Sequence, residues 1–185
     1  MEEEVTRSIW LAPFLLLLGC SLTRAGSLEQ DALAFLNRWL VDGELDKALR
    51  YVSDRGPLCV PSPESSELSG VTPREARERL RAVMTTVLKT LGKHSNLGAV
   101  IDPVPPNFGN FVGKPGTGGL PFTVWDVPDR DLLTMTCNSP TNRLRGAVVF
   151  VFRGPEQSQP AGGMYIVFEH YGSNWRIVGF NALRQ

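Results

Sequence analysis

His170 is the side chain in this chain whose chemistry suits proton transfer near neutral pH, since an unperturbed imidazole changes charge close to the physiological range. It stands near the end of an apolar stretch, Met164 to Tyr171, that reads as a β-strand. The alternate residues Met164, Ile166, Phe168 and His170 form the more apolar set and are expected to face inward, leaving Tyr165, Val167, Glu169 and Tyr171 on the other side. Tyr51 and Asp126 are the polar residues that could complete a cluster with His170, and Phe168 and Trp175 would supply its apolar lining. A lone histidine near a strand end is more often a satisfied structural residue. No Ser-His-Asp order, nucleophile elbow or paired-carboxylate spacing accompanies it, so the sequence assigns no catalytic residue.

Other chemistry-bearing patterns fail on spacing. Gly109-Asn110-Phe111-Val112-Gly113-Lys114-Pro115 is one residue short of a phosphate loop, and proline replaces the hydroxyl residue that would reach magnesium. Neither a CxxC nor a clustered His/Cys spacing is present, so neither a metal nor another cofactor is expected. Arg74, Arg77, Arg79 and Arg81 crowd one helical segment and can be read as an anion patch or as a solvated face with Glu75 paired to Arg79; the second is favoured. His94, just past a helix terminus, is expected to be a dipole partner or solvent-exposed.

The elements that must position these residues fall in two blocks. Leu28, Ala32, Phe35 and Trp39 share a helical stripe with Leu36 and Leu40 beside it, and Asp42-Gly43 breaks the period. Leu45, Ala48, Leu49 and Val52 resume it in a shorter helix that stops by Gly56-Pro57. Cys59 to Gly70 is rich in Ser, Pro and Glu and reads as a loop. Thr72-Pro73-Arg74-Glu75 is a capping box with proline at the first helical position, opening a helix that ends at Gly92. Asp102 to Pro121 holds five prolines and five glycines, which excludes regular structure over most of its length. Beyond it Phe122–Val127, Leu132–Cys137, Leu144–Arg153, Met164–Tyr171 and Trp175–Leu183 read as strands, the last two joined by a hairpin turn. Helices first and sheet second means α+β.

Near the N-terminus, the apolar run Ile9 to Leu18 ends in Leu17-Leu18-Gly19-Cys20, which resembles the lipobox of bacterial lipoproteins. The resemblance implies lipidation of Cys20, removal of residues 1–19, and a short tether over residues 20–27. The run is far below the ~20 residues that span hydrocarbon as a helix. Glu2, Glu3 and Glu4 depart from the basic start of such leaders, a departure that disappears if translation begins at Val5. Cleavage after Thr23-Arg24-Ala25 as an ordinary signal peptide is the alternative. With Cys20 carrying lipid, Cys59 and Cys137 remain, either as a disulfide in an oxidising envelope compartment or as two separate thiols. The full chain balances 19 basic against 19 acidic residues. Its leader takes one Arg and three Glu with it, and the remaining near-neutral chain is no nucleic-acid binder.

Two further motifs carry a fold resemblance. Phe35-Leu36-Asn37-Arg38-Trp39-Leu40-Val41-Asp42-Gly43-Glu44-Leu45-Asp46-Lys47-Ala48-Leu49 resembles the opening helix, glycine break and second helix of the nuclear transport factor 2-like superfamily, and Gly172-Ser173-Asn174-Trp175-Arg176-Ile177-Val178-Gly179-Phe180 resembles its final strands. The resemblance implies one domain over residues 28–185: a cone in which a curved antiparallel sheet wraps N-terminal helices and encloses a pocket. That fold hosts both enzymes and accessory domains. The expected function is a lipid-anchored, non-catalytic binding or assembly module of the cell envelope, with a membrane contact and an envelope protein or small apolar ligand as partner. The alternative is a small isomerase- or dehydratase-type acid/base enzyme acting on an apolar ring-like ligand, with His170 as base. A filled cone favours the first and a deep pocket with an ionisable floor the second.

Overall fold

A computed structural model describes residues 27–54, 72–105, 114–115, 117–125, 144–154 and 160–183. Cys20, Cys59, Cys137, Asp126 and the expected strand Leu132–Cys137 lie outside these described residues. Within them the chain is α+β, with helices followed by an antiparallel sheet.

Helix α1 (Leu28–Leu36) opens with a reciprocal cap in which the Gln30 amide donates to the Ser27 hydroxyl and the Ser27 amide to the Gln30 side chain. Its stripe continues into a π-helical turn, Asn37–Val41, which buries Trp39 and Leu40. Gly43 ends the run with φ 68°, a backbone conformation only glycine adopts freely. The shorter helix expected next is a single turn, α2 (Leu45–Ala48), tightening to 3₁₀ geometry over Leu49–Tyr51. The long helix α3 (Pro73–Leu91) starts where the Thr72-Pro73-Arg74-Glu75 signal places it and stops at Gly92, φ 77°. Glu75 is committed to this cap: its carboxylate accepts the Thr72 amide and hydroxyl, each at 2.9 Å. Arg74 accordingly pairs with Glu78, 3.1 Å, and Arg81 with Asp46, where the sequence suggested Glu75 with Arg79.

Among the described residues six strands form one sheet: β1 (Ile101–Pro103), β2 (Lys114–Pro115), β3 (Thr123–Trp125), β4 (Arg145–Arg153), β5 (Pro160–Tyr171) and β6 (Asn174–Leu183). Its path is β2-β3-β4-β5-β6, and β1 also pairs with β4. β1 and β3 lie end to end along the same edge of β4, opposite Phe150–Phe152 and Ala147–Val149, and the Val104 amide stitches them by donating to Thr123 Oγ1 at 3.2 Å. The Pro/Gly-rich stretch therefore does contribute pairing, in two pieces short enough for its prolines to tolerate. Register shifts between Val151 and Arg153 and between Val167 and Phe168 mark two bulges, which bend the strands and raise their twist.

The helices cover one face of this bent sheet. Val148, Phe150, Met164, Ile166, Phe168 and Ile177 meet Leu28, Phe35, Leu36, Trp39 and Met84 in the main core, so the even-numbered set of β5 faces inward as its sequence pattern predicts. Val149, Tyr165, Val167 and Val178 form a second buried cluster on the opposite face. β4 is buried on both sides, which explains why it reads as a continuous apolar run. On that opposite face Glu169 is buried and accepts from its cross-strand neighbour Arg145 at 2.9 Å.

Candidate functional site

The turn between β5 and β6 comes down on the junction of α1 and α2, and the gap between them is a cleft of about 360 Å³. Three ties from the helical segment hold the start of β6 there. The Trp175 amide donates to the Asp31 carboxylate at 2.8 Å, Ser53 N–H donates to the Ile177 carbonyl at 2.9 Å, and Arg176 Nη1 donates to the Arg50 carbonyl at 2.8 Å. Gly172 sits at φ 64° while Ser173 keeps a negative φ, so the two-residue turn has the II′ pattern that matches strand twist.

Tyr51 and Trp175 both line the cleft. His170 stands beside it, its ring edge-on to the Trp175 indole at 5.0 Å and its backbone amide donating to the Leu144 carbonyl. It is half-buried at the rim. Phe168 lies behind it with 0% exposure, packed edge-to-face on Phe35, which in turn meets Tyr51 and Trp39. Among the described residues, the inward side of His170 is thus lined by packed aromatic rings. Asp126 lies outside the described residues and has no place in this description.

Sequence reasoning missed the cations. Arg38, Lys47, Arg50 and Arg176 line the cleft with Asp31 and Asn174. Arg38 is carried by the π-helical turn, a distortion that occurs disproportionately at functional positions and that has no sequence signature here. Its Nη1 donates to Glu44 at 2.6 Å and to Asp42 at 3.1 Å, and the Glu44 hydrogen bond raises the guanidinium pKa further. Glu44 also accepts from Lys47 at 2.6 Å, and that bond, followed by the one from Arg38, holds its carboxyl below the usual glutamate range. Arg50 has no carboxylate partner among the described residues. Lys47 and Arg50, three residues apart, share a side of the short helical segment, the one spacing that could have signalled this face.

A second cleft of about 460 Å³ lies across Arg50, between α2 and the first turns of α3, and holds Arg74, Arg77 and Arg81. These arginines are mostly matched: Arg74 by Glu78, Arg81 by Asp46, and Arg77 by the Val52 carbonyl at 3.1 Å, although Arg77 Nε has no partner among the described residues. That supports the solvated-face reading of the arginine run. His94 Nε2 lies 2.7 Å from the Leu91 carbonyl at the end of α3, the dipole-facing position expected of it. Among the described residues no three His, Cys, Asp or Glu side chains converge as a metal would require. No helix among them is long and apolar enough to cross a membrane. No family model matches the chain, and neither a curated protein nor a solved structure is significantly similar to it.

Proposed function

We propose that this protein is a lipid-anchored binding module of the cell envelope, with a nuclear transport factor 2-like domain that works by contact and not by turnover. The observation that carries the reading is the packing behind the cleft. Phe168, Phe35, Trp39 and Phe150 are closed off from solvent between sheet and helices, so among the described residues aromatic packing, not an enclosed apolar cavity, lies behind His170. The bulged, helix-covered antiparallel sheet supports the superfamily resemblance. The Leu17-Leu18-Gly19-Cys20 motif supports the anchor.

Two variants test the two halves. Cys20→Ser is expected to release the protein from membranes, because each buried acyl methylene contributes about 0.8 kcal/mol and anchoring rests on whole chains. An intact mass corresponding to an unmodified N-terminus at Gly26 overturns the anchor. His170→Gln is expected to leave complementation of a null strain intact at normal abundance. A general base would instead cost ~10²–10⁴-fold in rate, and loss of function at normal abundance restores the isomerase or dehydratase reading.

A further inference from the structure

The cations of the β5–β6 cleft are unequally matched. Arg38 and Lys47 are held by Asp42 and Glu44. Arg50 has no acidic partner among the described residues, and Arg176 uses Nη1 on a backbone carbonyl, which neutralises no charge. Among the described residues the carboxylate lining the cleft is Asp31, which already accepts the Trp175 amide. Two guanidinium groups therefore share a small recess with two aromatic side chains, and the recess falls within the ~300–1,000 Å³ range of small-ligand sites. Guanidinium forks match planar or tetrahedral oxyanions, and an indole offers a flat apolar face.

Resting on the binding-module reading above, we propose that this cleft takes an anionic ligand bearing a flat apolar group. Its carboxylate or phosphate lies on Arg50 and Arg176, and its flat part lies against Trp175 and Tyr51. The apolar ring-like ligand expected from the sequence gains a charged end, and it sits at the rim instead of inside the cone.

Phenyl phosphate, phenol and inorganic phosphate are suitable probes, read on the Trp175 indole N–H by ¹⁵N–¹H NMR, with the resonance assigned from Trp175→Phe. Phenyl phosphate is expected to shift it and to bind roughly tenfold or more tightly than phenol, since one charge-assisted hydrogen bond is worth about that factor, and several-fold more tightly than phosphate, through the ring against Trp175 and Tyr51. Arg50→Gln, at a side chain with no hydrogen bond or ion pair among the described residues, should weaken phenyl phosphate by a similar factor, and Arg176→Gln should do the same. Glu44→Gln should act in the opposite sense, strengthening binding by freeing Arg38 and Lys47. Equal affinity for phenol and phenyl phosphate, or indifference to Arg50→Gln, overturns the anion assignment while leaving the cleft a contact surface. No shift with any probe overturns both the assignment and the cleft as the binding face.

Discussion

Phe168→Ala separates a filled interior from a hollow one. Phe168 is fully buried between β5 and α1, with the Phe35 ring 6.4 Å away edge-to-face, so truncation removes a whole ring from close-packed surroundings. Such a substitution loses the transfer free energy of the ring and leaves a cavity, for a total of about 3–5 kcal/mol. At roughly 2–4 °C per kcal/mol for a domain of this size, the midpoint of thermal unfolding should fall by about 6–20 °C. The void would be apolar and dry, and such voids accept benzene. Benzene should then raise the melting temperature of the variant and leave the unsubstituted protein unchanged. Calorimetric scans with and without benzene read both effects. Stabilisation of the unsubstituted protein by benzene would refute the filled interior, because it requires a cavity where aromatic side chains are placed. A loss under about 1 kcal/mol would refute the packing itself.

Two other outcomes test the supports of the site. Trp39→Phe removes the indole N–H that donates to the Met84 carbonyl at 3.2 Å and ties the π-helical turn to α3; urea titration should show about 1–3 kcal/mol of destabilisation, and a change within 0.5 kcal/mol rejects that tie. The Glu75 carboxyl is held below its ordinary value of 4.5, first by the Thr72 amide, so its contribution is complete above that value and is lost as pH falls through the lowered folded value; amide-exchange protection factors in the first turn of α3 should drop over that acid range in the native chain and be low at every pH in Glu75→Ala, whereas Glu75→Gln, which can cap as Gln30 does in α1, should lose the pH dependence and keep protection.

Much of this architecture is legible in local patterns because local physics sets it. The capping box at Thr72, the stripe Leu28-Ala32-Phe35-Trp39, the Gly43 break and the hairpin at Gly172 each follow from residues within a few positions of one another, and each forms where the sequence puts it. Features set by distant partners left no such trace. Nothing near Asp31 announces that it will accept the Trp175 amide across the domain, and nothing in Arg176 announces the Arg50 carbonyl. The π-helical turn is likewise silent, since Asn37–Val41 has an ordinary helical composition. His170 and Trp175 were recognisable as neighbours because a tight hairpin puts them opposite one another, whereas the cations beside them converge only once α2 docks on β6. Residue types at a rim are therefore visible before folding, and their charge balance is not.

The ties that assemble the rim also bear on the binding proposed for it. Asp31 on the Trp175 amide, Ser53 on the Ile177 carbonyl and Arg176 on the Arg50 carbonyl fix three sides of the cleft to one another before any ligand arrives, so little ordering cost remains at association. Asp31 stands in the first turn of α1, immediately after the segment assigned as the tether. With the proposed anchor at Cys20, the tether of residues 20–27 spans at most ~3.3–3.6 Å per residue, which holds the start of α1 within roughly 30 Å of the lipid surface. A ligand reaching this cleft would be captured close to the membrane in every orientation the tether permits. On that proposal, the short reach would keep the cleft near the lipid surface, and specificity would rest on Arg50, Arg176 and the aromatic pair.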